Sequence, residues 1–521
     1  MAEFDPIELE LFKNMFVSIS EEMGAVLERT ALSPNIKERR DFSCALFNRK
    51  GETFAQGSHI AVHLGAMPLS VQACLKDIHF EEGDLVVLNH PYQGGTHLPD
   101  ITCISPVFLE KRLVFFSANR AHHSDVGGMS PGSMPLASEI FQEGLIIPPV
   151  KLMSGGRMDS NMMKLILANV RTPEERRGDL LAQIAANHKG KIRIQEVAEK
   201  YGLKKILTYA ELIQDYTETI LRRTIKQIPN GCYRFHDHLD DDGITSEPVR
   251  IEAAVTIRED QAEIDFTGSS LQVEGGVNAN SAVTHSAVLY VFRSLVEEDI
   301  PFNTGLMRPL RIITQKGSVV DAVFPAATAG GNVETSQRLV DVLLGALSQA
   351  VPNKIPAASS GTMNNVTLGG TDPRTGEPFA YYETIGGGMG AGYGSDGLSG
   401  VHTHMTNSLN TPLEAMEIYL PLRIRKYALR RGSGGKGRHK GGNGIIREYQ
   451  FHTPTQVSVI SERRTHAPYG VQGGESGKKG RNLLMSRGKK RNLRSKVNIQ
   501  AKDGDILRIE TPGGGGYGRK E

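Results

Sequence analysis

Tryptophan is absent from this 521-residue chain, and cysteine occurs four times. Cys44, Cys74, Cys103 and Cys232 show no close pairing of the kind a sulfur-ligated metal site or a disulfide framework uses, so they read as reduced thiols of a cytoplasmic protein. No uninterrupted apolar run approaches membrane-spanning length, and Met1 to Glu10 is acidic, without the basic-then-apolar profile of an export signal. A strong charge of either sign is also missing: the formal net charge is +2. Two basic pieces, Arg425 to Lys440 and Lys478 to Lys496, carry no aromatic-interleaved or helix-based reading motif, which argues against a nucleic-acid partner and for a solvated face. Neither Gly434-Gly435-Lys436-Gly437-Arg438 nor Gly513 to Gly516 has the spacing or the following Lys-Ser/Thr of a phosphate-binding loop.

Glycine is abundant, with 57 residues at no fixed period, so the chain is rich in turns and close backbone approaches and is not a repeat protein. Asp5 to Leu32 reads as a helix, with Leu9, Leu11, Met15, Val17, Ile19, Met23 and Val26 as its apolar stripe. Strand-like pieces follow around Phe42 to Phe47, then a helix at Pro68 to Ile78 and a strand at Leu85 to Asn89. Ile101 to Phe108 and Leu113 to Ala118 predict a hairpin joined through Leu109 to Arg112. Pairing Phe108 with Leu113 would place Asp100 opposite Ala121 and Pro99 opposite His122. Ser160 to Ile228 is helical in pattern, with core candidates that include Leu165, Leu180, Leu207 and Ile220; Pro229-Asn230-Gly231 ends it. Strands at 231–238, 249–258 and 261–266 follow, with helices at 282–298 and 335–347, and further strands at 440–451, 457–463 and 503–510. The expected fold is mixed α/β (α+β): an amino-terminal metal-site domain with an antiparallel hairpin and a helical segment over 1–229, and a β-rich, glycine-dense portion over 230–521.

The hairpin matters because polar residues stand at both its ends: His97-Leu98-Pro99-Asp100 and Arg120-Ala121-His122-His123-Ser124-Asp125. Imidazoles and a carboxylate gathered at one hairpin mouth suit manganese, iron or zinc, and His97, Asp100 and His122 are the candidate ligands. A fourth ligand is open among Glu38, His123, Asp125 and water; Asp125 could instead orient a ligating imidazole. Glu143 and Glu139 are candidate proton-transfer groups. His59 and His63, four apart, would share one helix face or simply orient a loop. Gly331 to Arg338 could present an amide, a carboxylate and a guanidinium at a helix start, or read simply as an N-cap with polar first-turn residues, and Gly361 to Asn365 and His402 to Asn407 are candidates for lining a cavity.

Longer stretches carry a family resemblance: Asn35-Ile36-Lys37-Glu38-Arg39-Arg40-Asp41-Phe42-Ser43, His59 to Pro68, Asn89 to Asp100, Ala121 to Gly128, Glu143 to Pro149, Gly330 to Arg338 and Glu383 to Gly388. The chain resembles the B-type component of the ATP-dependent hydantoinase and 5-oxoprolinase family, which is related to the acetone carboxylase alpha subunit. That resemblance implies a hetero-oligomer in which an A-type subunit uses ATP to activate a ring amide, while this chain holds a divalent metal, manganese first, that completes hydrolysis of a small cyclic amide. It also implies Glu38, His97, Asp100 and His122 as the metal ligands, and leaves His123, Asp125 and Glu143 as catalytic or supporting groups. A ketone carboxylase component and a non-catalytic scaffold for the ATPase subunit are the competing expectations.

Overall fold

The computed structural model describes residues 5–57, 59–63 and 65–520; Met1 to Phe4 of the acidic amino terminus lie outside the described residues. The first helix, Pro6–Thr30, starts on an Asp5 cap whose carboxylate accepts from the Ile7 amide. Its buried stripe is Leu9, Phe12, Phe16, Ile19, Met23 and Leu27, a spacing of three and four that turns Leu11, expected in the core, out to solvent at 44% exposure.

Seven strands then form one antiparallel sheet: β1 (Phe42–Asn48), β2 (Thr53–Gln56), β3 (Leu85–Leu88), β4 (Asp100–Leu109), β5 (Arg112–His122), β6 (Val150–Ser154) and β7 (Arg157–Met158). Their order across the sheet is β2-β1-β5-β4-β3-β6-β7. The β4–β5 hairpin is central, the helices Pro173–Tyr201 and Met67–Asp77 pack against it, and the polar residues at its mouth are buried.

Its register differs from the expectation by one residue. Phe108 does pair with Leu113, but a bulge between Val107 and Phe108 leaves Val107 opposite Phe115. The extra residue, Val114, shifts everything beyond it, and Asp100 therefore faces His122 rather than Ala121. Alternation along the strand decides the rest. Asn119 bonds Gln183 and Asn187 on the helix Pro173–Tyr201, whereas Arg120 on the opposite face reaches Ser70 on the helix Met67–Asp77.

The helices Ser160–Ala168, Pro173–Tyr201 and Leu203–Lys226 fill the stretch read as helical. Two of its core candidates are exposed: Leu165 at 55%, because its helix buries Met163, Ile166 and Leu167 instead, and Leu207 at 42%, because the stripe of the two later helices runs through Leu180, Ala186, Ile194, Ile206 and Ile213. Beyond Gly231 come a four-stranded sheet ending in one parallel pair, a second four-stranded sheet and a five-stranded sheet. The largest apolar cluster joins Ile60, Val62 and Leu221 to Val255, Leu339 and Met405, and so draws on residues from both sides of position 230.

The carboxyl-terminal glycines pack backbone on backbone. Gly514 donates to Gly442 at 3.0 Å and accepts from Gly435 at 2.8 Å, and a Cβ on Gly514 would lie 2.1 Å from the Met389 carbonyl oxygen. Glycine is required there by contact. The run Gly331–Thr335, expected as an ordinary N-cap and first turn, is instead a wide π-helical turn without a side-chain cap, leading into the helix Ser336–Leu347.

Candidate metal centre

The segment leading into β4 is held by its contact with the helix below. Gly94, at φ +87°, passes so close that a Cβ would sit 2.5 Å from the Leu69 carbonyl, and Ser70 donates to the Gly94 carbonyl at 2.6 Å. From there Thr96 and His97 turn inward beside Asp100.

His97, Asp100 and His122 each offer a ligand atom, and these atoms all lie within 4.8 Å of one another; it is the group of this kind found among the described residues. All three side chains are buried. The two rings stand nearly perpendicular, with centroids 5.0 Å apart, and His97 Nε2 is 3.6 Å from Asp100 Oδ1. His122 and Asp100 are anchored on their far sides, whereas neither ring nitrogen of His97 has a hydrogen-bond partner. Asn35 Nδ2 bonds His122 Nδ1 at 3.1 Å, the Tyr382 ring stacks on His122 at 4.5 Å, and the Thr96 hydroxyl donates to Asp100 Oδ2. His63 Nε2 lies 3.4 Å from that same oxygen while Ser43 holds its Nδ1 at 2.9 Å.

On the near side, His97 Nε2, His122 Nε2 and Asp100 Oδ1 have no protein partner. Leaving buried polar atoms unpaired costs roughly 1–3 kcal/mol each, so three such atoms converging on one point fit a cation that takes all three lone pairs. Protonation fits as well. Burial pushes His97 down to about 4 and His122 well below its ordinary value, which leaves neutral rings. Burial also opposes the charge on Asp100, but the surrounding imidazoles hold its carboxyl well below the usual carboxylate range. Two neutral imidazoles and one carboxylate suit zinc, manganese or iron.

A small cavity of about 20 Å³ at this group is lined also by Asp41, His63, Asn332, Tyr382 and Thr406. Asp41 directly precedes β1, and its carbonyl accepts from the His122 amide at 2.9 Å. Burial raises its carboxyl to about 6, with Arg39 opposing and Asp100 adding to the rise. Glu38 lies outside both the converging group and the cavity lining; its Oε2 is buried without a partner, burial raises its pKa, and the charges acting on it are Lys37 and Glu175.

His123, Asp125 and Glu143 are placed elsewhere. Next to His122 in sequence, His123 points to the opposite sheet face, where Nε2 meets Gln183 Oε1 at 2.9 Å. Asp125 accepts from the amides of Gly127, Gly132 and Arg171 and from the Arg171 guanidinium, not from an imidazole. Glu143 is fully buried and accepts from the amides of Thr328 and Ala329, both at 2.8 Å; burial pushes its carboxyl up to about 8. Glu139 heads a single turn and pairs as an isolated bridge with Ala326.

His63 and Asp41 are the participants that residue spacing does not bring in. The separation of four between His59 and His63 suits a shared helix face, but only Ala61–His63 is helical, as a short 3-10 turn. His59 turns instead to the Cys44 amide at 3.2 Å.

Fold and centre together define a mixed α/β chain with a buried candidate site for a divalent metal, and among the described residues no helix is long and apolar enough to cross a membrane. Residues 5–520 match the family described as Hydantoinase B/oxoprolinase, and the chain belongs to that family. It is 41% identical to 5-oxoprolinase 1 of Arabidopsis thaliana over 99% of its own length, yet spans 42% of that protein. It is 32% identical to the B-type component of a putative D-/L-hydantoinase from a Pseudomonas strain, covering 99% of this chain and 90% of that one. Among solved structures, the ATP-dependent caprolactamase from Pseudomonas jessenii superposes with a TM-score of 0.92 at 27% identity, over 99% of this chain and 91% of that chain.

Proposed function

We propose that this chain is the metal-bearing subunit of an ATP-dependent cyclic amidase, working in the cytoplasm with a separate ATP-binding A-type subunit on a hydantoin- or 5-oxoproline-like ring. The observation that carries the reading is the convergence of three unpartnered ligand atoms from His97, Asp100 and His122 in a member of this family. The names of the similar proteins, an oxoprolinase, a hydantoinase component and an ATP-dependent caprolactamase, share ring-amide opening.

His97, Asp100 and His122 hold the ion in this reading, and Asp41, which lines the same cavity, takes the fourth protein position in preference to Glu38. A divalent metal there supplies a Lewis acid for a carbonyl and a lowered pKa for water. Asn35 holds the His122 ring in place from its Nδ1 side, and Thr96 with His63 occupies Asp100 Oδ2 so that Oδ1 stays free. The Tyr382 ring and Met405 line the centre, and burial there strengthens every charge interaction inside it. His123, Asp125 and Glu143 act as supports, anchoring the hairpin, the 125–132 turn and the 328–329 segment.

The test is metal content and ring opening in the reconstituted two-subunit complex. Close to one divalent ion per wild-type chain is expected, with loss of both metal and turnover in His97→Ala. Unchanged turnover in His97→Ala would remove the assignment.

A further inference from the structure

Arg39 is a fully buried cation with every N–H group in use. Its Nε donates to the Leu409 carbonyl at 3.2 Å. One terminal nitrogen donates to the Tyr382 carbonyl at 2.9 Å and to Asn35 Oδ1 at 3.2 Å, and the other donates to the Thr384 and Ser408 hydroxyls at 2.9 and 3.2 Å. A guanidinium has no acceptor, so Asn35, itself fully buried, keeps its carboxamide oxygen toward Arg39. The Asn35 NH2 group then faces the other way, onto His122 Nδ1 at 3.1 Å. Being a donor only, it makes Nδ1 the acceptor, and a neutral imidazole that accepts at Nδ1 carries its proton on Nε2. His122 Nε2 has no hydrogen-bond partner, so in this resting arrangement its proton is unpaired.

Ligation needs the opposite arrangement. A ring that gives its Nε2 lone pair to a metal keeps its proton on Nδ1, and that proton needs an acceptor. The His122 ring is not free to turn: Tyr382 stacks on it at 4.5 Å, His97 stands edge-on to it at 5.0 Å, and the His122 amide is held by the Asp41 carbonyl at 2.9 Å. Nor can Arg39 follow, because its bonds to Leu409, Tyr382, Thr384 and Ser408 fix it on the other sides. The Asn35 carboxamide can adapt, since turning it over exchanges oxygen and nitrogen without changing its volume. We propose that Asn35 is a positioning residue whose carboxamide turns over when the metal centre loads, giving its oxygen to His122 Nδ1–H and releasing its bond to Arg39. Arg39 sets the resting orientation, and the centre holds its ion less tightly than the ligand atoms alone would. This inference rests on the metal-centre reading. The ring carries one proton in both arrangements, and only the place of that proton changes. A carboxylate at position 35 would accept on both sides and have no need to turn.

The test uses the full chain with isotope-labelled histidine nitrogens, stripped of metal with a chelator and then loaded with zinc. Long-range proton–nitrogen NMR correlation reads which ring nitrogen carries the proton, and His122→Gln identifies the His122 signals. Metal-free wild type should show His122 protonated at Nε2, and the zinc-loaded chain should show it protonated at Nδ1. In Asn35→Asp the Nδ1 proton should be present already without metal, and zinc should bind at least roughly tenfold more tightly than to wild type in competition with a chelator. The added charge also favours the ion, so the position of the proton is the deciding readout. A proton on Nδ1 in the metal-free wild type, none on Nδ1 in the loaded wild type, or an Asn35→Asp chain that lacks the Nδ1 proton or binds zinc no more tightly overturns the proposal. If Asn35→Asp does not fold, the two wild-type spectra decide. Zinc bound with the proton unmoved leaves the metal centre standing and removes this proposal, whereas a wild type that binds no zinc removes the metal centre and the proposal with it.

Discussion

Asp100 and His122 face each other across the β4–β5 hairpin because one extra residue, Val114, is bulged out near its turn. Without the bulge, His122 would pair with Pro99 and Asp100 with Ala121. The bulge brings two ligand-bearing residues directly opposite one another at the buried mouth of a central hairpin.

Since Asn35 occupies His122 Nδ1, its removal should loosen the ligand without removing it. Asn35→Ala is expected to weaken metal affinity by about 10–100-fold, measured by competition with a chelator of known strength. Affinity equal to wild type would mean that the ring orientation is set by Tyr382 stacking alone.

His123 lies on the opposite face, against Gln183, and so should be dispensable for the metal. His123→Phe is expected to keep full metal content while losing about 1–3 kcal/mol of stability, as Gln183 Oε1 loses its buried partner. Metal analysis and urea unfolding of the same preparation check both halves.

Glu143 gives a pH signature. Its carboxyl rises from 4.5 to about 8 on burial, so between those values the folded chain keeps a proton that the unfolded chain releases. Its contribution is therefore fully present below 4.5 and falls by about 1.4 kcal/mol per pH unit as pH rises toward 8. Glu143→Gln, which still accepts from Thr328 and Ala329, should flatten that slope and be the more stable protein at pH 8, as thermal melts across the range would show.

Glu383 sits under Arg447, whose Nε and NH2 groups donate to it at 2.8 and 3.0 Å with both side chains fully buried. Arg447→Met leaves a buried carboxylate without its cation, and a loss of about 3–5 kcal/mol is expected in urea unfolding. Replacing Glu383 by Gln in that variant should recover part of the loss.

Much of this is legible in the sequence where one local rule dominates. Two-residue alternation marks the hairpin strands, and Glu110-Lys111 turns it with both residues at positive φ, so the gathering of His97, Asp100 and His122 follows from counting. The register is not legible, because nothing in Phe108 to Phe116 marks Val114 as the extra residue. His63 and Asp41 are out of reach of spacing for another reason: a short 3-10 turn and a strand start bring them in through long-range packing. Leu165 and Leu207 show the converse error, since each helix has more apolar residues than its buried face can take.

The most direct measurement is metal analysis of the purified chain, wild type beside the double variant His97→Ala/His122→Ala, with folding verified by circular dichroism. Close to one divalent ion per wild-type chain is expected, and none in the folded double variant. An ion retained at full stoichiometry by the folded double variant would contradict it.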